Sequence, residues 1–279
     1  MNKIILQMKI LYDKMGNAEK KIASWISENP DGLTPLSITE LADKCGCGEA
    51  TIVRFARRLG FNGYQDMKIS LALEAGTPEV TGSDITPDDS CYTVYSKVCD
   101  EIYCSLEKTK NSLDENALKN AAAAIMNANK IITMGLGNSA SVALDAGHKF
   151  LRAGLNAYSY SDNHMQAIAA SHLNANDVAI GISHSGSSKD IVEALKIAKE
   201  VGAVTICITN IGKSPILKYS DLVLTTSSDE TQYRILGLNS RFAQLAIIDA
   251  LYYYIVCHLD EKSVNAIEDT ERALMDKKY

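Results

Sequence analysis

Residues 130–188 read KIITMGLGNSASVALDAGHKFLRAGLNAYSYSDNHMQAIAASHLNANDVAIGISHSGSS. Three short runs rich in β-branched or aromatic residues, 130–134, 155–160 and 177–183, are separated by stretches with helical spacing. Two more runs follow, Ala203-VTICIT and Asp221-LVLTT. Strand and helix in alternation predict an α/β unit, a doubly wound parallel sheet of five strands covered on both faces. Ligands of such sheets bind beyond the carboxyl ends of the strands, near the point where strand order reverses. The loops after the strands therefore decide the chemistry.

The loop after the first strand, Gly135-Leu-Gly137-Asn-Ser139-Ala140, matches the GxGxxG/A dinucleotide fingerprint, a weak signal alone. The loop after the third, Ser183-His-Ser185-Gly-Ser-Ser188-Lys-Asp190, opens a helix, so free amides and hydroxyls meet at one point. Such a nest suits an anion, above all a phosphate. A nicotinamide site calls for one pyrophosphate loop, and two hydroxyl-rich loops favour a small phosphorylated ligand instead. Serines that merely cap a helix are the ordinary alternative for the second loop.

Upstream, Tyr92, Tyr95, Val98, Ile102 and Leu106 recur at three and four and predict a helix, with another over 114–127. The first 76 residues show only helical periodicity, beginning with an amphipathic segment at the N-terminus. Asn17 is expected to cap a helix through Ser27, with Trp25 in the core. Ser37-Ile-Thr-Glu40 has capping-box spacing. A turn at Gly46-Cys-Gly48 leads to a helix over 49–59 with Ile52, Phe55, Ala56 and Leu59 on one stripe. Its other faces carry Glu49, Thr51, Arg54, Arg57 and Arg58. Two short helices joined by a glycine turn, the second with a basic outer face, form a helix-turn-helix whose second helix reaches base edges. Arg54, Arg57 and Arg58 can fork onto guanine or phosphate, and Lys68 is expected on the DNA backbone.

Composition agrees once divided. The net charge of −6 splits into +1 over residues 1–76 and −7 over 77–279, and 44–68 holds five basic residues against two acidic. A local positive field is what phosphate contact requires. The stretch Gly76–Ser90 holds two of the five prolines, four acidic residues and no aromatics, and reads as an exposed linker. The expected domains are 1–76 for DNA, 77–90 as linker and 91–279 for ligand. No run approaches the ~20 apolar residues of a membrane span. The seven cysteines form no CxxC pair, so reduced thiols of a cytoplasmic protein, with no metal site and no cofactor, are expected.

At this point the sequence resembles a family. Residues 130–257 look like a sugar-isomerase (SIS) domain through GLGNS, SDNHMQ, ISHSGSSKD, Glu230 and Leu238-NSRFAQLAIIDAL. Residues 17–73 look like the helix-turn-helix of RpiR-type regulators through ITELADKCGCGEATIVRFARRLGFNGY. The resemblance implies a regulator of a sugar catabolism operon, most often a repressor, that senses a sugar phosphate. It implies that Ser139, Ser183, Ser185 and Ser188 hold the phosphate, that His164 and Glu230 hold sugar hydroxyls, and that Arg241 assists or only pairs with a carboxylate. Gly48 stands where the family usually has a capping Ser, and Ser188 where Thr is frequent.

The partners expected are double-stranded operator DNA, a sugar phosphate such as an N-acetylhexosamine 6-phosphate, and a second copy of the chain. A phosphosugar aldose–ketose isomerase is the competing reading, with His164 opening the ring and Glu230 shuttling a proton. A nucleotide sensor using GLGNSA, with Asp162 on a ribose, leaves the second nest unexplained.

Overall fold

A computed structural model describes residues 3–29, 32–33, 36–75, 85–228, 239–258 and 261–275. The chain divides into two compact units, with the main break between Cys99 and Asp100 and Gly212–Ser214 grouped with the first.

The first unit is helical: α1 (Lys3–Leu11), α2 (Asn17–Glu28), α3 (Ile38–Cys45), α4 (Glu49–Arg58) and α5 (Tyr64–Ala75). Its core gathers Ile22, Ile26, Leu41, Ile52, Phe55 and Met67, all below 1% exposed. The capping box forms as read: Glu40 N–H donates to Ser37 Oγ at 3.2 Å, and Ser37 N–H donates to Glu40 Oε2 at 2.8 Å. At α2 the cap is Gly16 rather than Asn17, because Glu19 reaches back to accept from Gly16 N–H at 2.9 Å. Trp25 is also half-buried rather than internal, with Lys44 Nζ 5.9 Å from its ring centre. Gly46 closes α3 and the chain turns at once into α4.

Thr86 and Asp89 form a hydrogen-bonded turn, and Asp89 pairs with Lys97 at 2.8 Å. α6 (Cys91–Ser112) starts there and runs across the division between units. The tyrosines whose spacing predicts the helix face outward, Tyr92 at 79% and Tyr95 at 66% exposure. Its buried residues are two hydroxyls, Ser105 and Thr109.

The second unit continues with α7 (Glu115–Met126), β1 (Lys130–Gly135), α8 (Asn138–Arg152), β2 (Ala157–Tyr160), α9 (Asn163–Ser171), β3 (Asp177–Ile182), α10 (Lys189–Glu200), β4 (Val204–Asn210), β5 (Leu222–Thr226), α11 (Ser240–His258) and α12 (Glu261–Met275). The five strands are parallel in the order β2-β1-β3-β4-β5. β2 starts two residues later than read, because Leu155 N–H is taken by Phe150 O at the end of α8. Side chains alternate across the sheet. Ile131, Val178, Ile180 and Ile206 join α7, α8 and α11 on one face, while Ile132, Met134, Ala179 and Cys207 join α9 and α10 on the other. Burial on both faces explains why these strands read as continuous apolar runs.

Candidate functional site

Strand order reverses between β1 and β3, at the centre of the sheet. Gly135 and Ile182 are paired in register there, so the loops after them begin side by side, about 4.8 Å apart. Successive connections leave to opposite faces, which opens a crevice between the loops.

The β1–α8 turn is built by glycine. A Cβ on Gly135 would lie 2.4 Å from Ser139 O, and Gly137 sits at φ 56°, ψ −129°, a region essentially closed to other residues. The chain can thus fold back tightly, placing half-buried Ser139 on the first turn of α8. In the β3–α10 loop, Ser183 is 3% exposed and its Oγ donates to Ser188 Oγ at 3.2 Å. Gly186 N–H returns to Ser183 O, while Ile216 N–H holds Gly186 O at 3.0 Å. Ser185 stands exposed at the tip, its Oγ accepting from Ser187 N–H at 3.3 Å. Ser188 occupies the N-cap of α10 but makes no side-chain cap. Its hydroxyl meets Ser183 instead, and the first-turn amides of α10 face the same end of the sheet. Hydroxyls and helix N-termini from two adjacent loops suit a compact oxyanion. Asp190 in the first turn of α10 is the opposing charge, and Asn163 Nδ2 donates to its Oδ1 at 3.5 Å.

The other expected ligand residues are spread around this point. His164 is exposed in the first turn of α9, its own N–H donating to Asn163 Oδ1 at 3.0 Å. Arg241 is half-buried at the start of α11, its guanidinium carbon 5.3 Å from the Phe242 ring centre. Glu230 lies outside the described residues. One residue escaped the sequence reading: Gln166, fully buried, whose Nε2 donates to Gly135 O at 3.1 Å and Tyr160 O at 2.9 Å. It joins the carboxyl ends of β1 and β2 at the carbonyls of their last residues. Its signals in the sequence were its place at the end of the SDNHMQ motif, four residues after Asp162, the cap of α9.

On α4, Ile52, Phe55 and Ala56 are buried, while Arg54 and Arg57 are exposed and Thr51 is half-buried. Arg54 Nη2 reaches Thr51 Oγ1 at 3.4 Å, and Glu49 accepts from Thr39 Oγ1 at 2.7 Å. Two of the expected DNA contacts also bond within the unit. Arg58 pairs with Glu19 at 2.6 Å and donates to Lys14 O at 2.5 Å, tying α4 to the start of α2. Lys68 Nζ donates to Leu36 O at 2.9 Å, and burial pushes its ammonium below the usual lysine range against the opposing pull of Glu40.

A helix-turn-helix with an outward basic face and a phosphosugar-type α/β unit define a transcriptional regulator carrying a SIS domain. Residues 2–78 match the helix-turn-helix domain of the rpiR family, and residues 124–254 match the SIS domain. The chain belongs to the rpiR family of transcriptional regulators. It is 40% identical over 263 residues to an HTH-type transcriptional regulator of Caldanaerobacter subterraneus subsp. tengcongensis, covering 94% of this chain and 93% of that one. It is 34% identical over 253 residues to the regulator HexR of Pseudomonas aeruginosa, covering 90% and 88%. Its fold matches the Vibrio vulnificus NanR protein complexed with ManNAc-6P, with a TM-score of 0.84, 22% identity and 99% of each chain covered. Among the described residues no helix is long and apolar enough to cross a membrane.

Proposed function

We propose that a sugar phosphate bound between the β1–α8 and β3–α10 loops controls the affinity of this regulator for its operator. The observation that carries this reading is the pair of hydroxyl-bearing loops rising from registered residues at the strand-order reversal, with Ser183 buried against Ser188. Ser139, Ser183, Ser185 and Ser188 hold the phosphate, and His164, Glu230 and Arg241 meet the sugar. The NanR protein with this fold is complexed with ManNAc-6P, which makes N-acetylhexosamine 6-phosphates the first class to try. Residues 1–76 bind DNA, with Glu49, Thr51, Arg54 and Arg57 toward the duplex. One head reads one half-site, so the working form is a homodimer. Ligand acts by favouring one arrangement of the heads over another, and release from DNA, as in a repressor, is the sign proposed.

The reading takes the protein as a regulator rather than an enzyme, since an isomerase has no use for the first 76 residues. Thermal shift against a panel of sugar phosphates, followed by operator titration with the stabilising compound, tests it. Weakened operator binding supports the reading. Unchanged operator binding, or turnover of a hexose phosphate at about 1 s⁻¹ or faster, overturns it.

A further inference from the structure

The buried hydroxyls of α6 need a reason. A helix face turned inward is normally apolar, yet Ser105 and Thr109 are each 4% exposed. Both grip Ser227, just past β5. Ser227 N–H donates to Thr109 Oγ1 at 2.9 Å, and the Thr109 and Ser105 hydroxyls donate back to Ser227 O at 3.4 Å. On the same face, Thr225 Oγ1 donates to Ser112 O at 3.2 Å, and Glu101 accepts from Asn239 Nδ2 at 2.9 Å. α6 thus holds the chain as it leaves β5 and as it enters α11.

The grip continues to the serine loop. Ser228 N–H donates to Asn210 Oδ1 at 3.2 Å, and Thr226 Oγ1 to Thr209 O at 3.2 Å. Asn210 N–H donates to His184 O at 3.0 Å, and Thr209 Oγ1 to the same carbonyl at 3.3 Å. His184 lies between Ser183 and Ser185. Hydrogen bonds, joined covalently through Asn210 and the Ser227–Ser228 peptide, therefore connect the phosphate loop, across the ends of β4 and β5, to α6. The same helix continues without a break from Asp100 back to Cys91, on the side of the chain that leads to the DNA-binding helices.

We propose that Asn210 and Thr109 are positioning residues of a relay, which passes occupancy of the serine loop to α6 and so to the DNA-binding unit. This rests on the sugar-phosphate reading above. Neither residue is one of those proposed above to hold the sugar phosphate. A shift of the His184 carbonyl on binding moves Asn210, which moves the Ser227–Ser228 corner against α6. Connected hydrogen bonds show a route, and only a measured coupling shows traffic along it.

The test uses the full chain, N-acetylmannosamine 6-phosphate and other hexose phosphates as probes, and a duplex selected by the protein from a random pool. Probe affinity comes from calorimetry, and operator affinity from anisotropy with and without probe. Coupling in allosteric proteins is typically about 5- to 150-fold. The Thr109→Val variant is expected to bind probe and free operator within about threefold of wild type, while the operator response shrinks toward one. Thr109→Ser restores the response. Asn210→Leu, at the far end, reproduces the loss and serves if Thr109→Val does not fold. A full response in either folded variant, Thr109→Val or Asn210→Leu, overturns the relay. So does a loss of probe affinity that accounts for the lost response. A wild-type response of one with every probe overturns the sugar-phosphate reading, and the relay with it.

Discussion

Arg54 and Arg58 lie one helical turn apart on α4, and their surroundings give them different tasks. Arg54 is exposed with Thr51 for company, while Arg58 is spent on Glu19 and the Lys14 carbonyl. Arg54→Ala and Arg57→Ala are expected to weaken operator binding, each lowering the salt slope by about one where a phosphate contact is lost. Arg58→Ala is expected to leave that slope unchanged and to cost less than about 1 kcal/mol of stability, since the pair is partly exposed. Anisotropy titrations from low to high salt separate the cases. The thiols divide in the same way. Burial pushes Cys45 and Cys207 up to about 11, with Cys47 adding to the rise at Cys45, whereas Cys91, Cys99, Cys104 and Cys257 are exposed. At pH 8 an alkylating reagent should label those four promptly and reach Cys45 and Cys207 only on unfolding, as counted by mass spectrometry.

Whole elements depend on short turns. The β1–α8 turn closes only because Gly135 lacks a side chain. Gly135→Ala puts a methyl against Ser139 O, and the expected result is loss of thermal protection by sugar phosphates from a protein that still binds operator. Retained protection would show that the turn can relax without moving Ser139. The start of α4 offers the reverse case. Gly48 is extended at φ −83°, ψ 151°, and a Cβ there meets nothing within 4 Å. Gly48→Ser therefore fits and supplies the missing cap, raising stability by a few tenths of a kcal/mol, about 1–2 °C in the melting temperature. Much at this scale was legible in the residues. The capping box at Ser37, the turn at Gly46, the five strands and the two serine-bearing loops follow from spacing and turn chemistry. The inner face of α6 was not: Tyr92 and Tyr95 recur at helical spacing but point outward, while the buried positions go to hydroxyls whose partner lies beyond β5.

For the molecule as a whole, a single helix-turn-helix reads only half of a symmetric operator. Two copies joined as a dimer are expected to bind the palindrome at least 100-fold more tightly than one half-site, as avidity without new contacts allows. Equal affinity for half and whole sites would leave the dimer without support.

The sequence by itself determined the alternation of strands and helices, the helix-turn-helix and the loops that carry hydroxyls, because period, caps and turn residues act within a few positions of one another. Tertiary structure alone decided which polar groups are free to work. Arg58 meets Glu19 across 39 residues of chain, and Thr109 meets Ser227 across 118. Gln166 bridges two strand ends, 31 and 6 residues away. No local pattern announces such a partner, since a polar side chain looks the same in sequence whether it reaches for solvent or for a distant backbone.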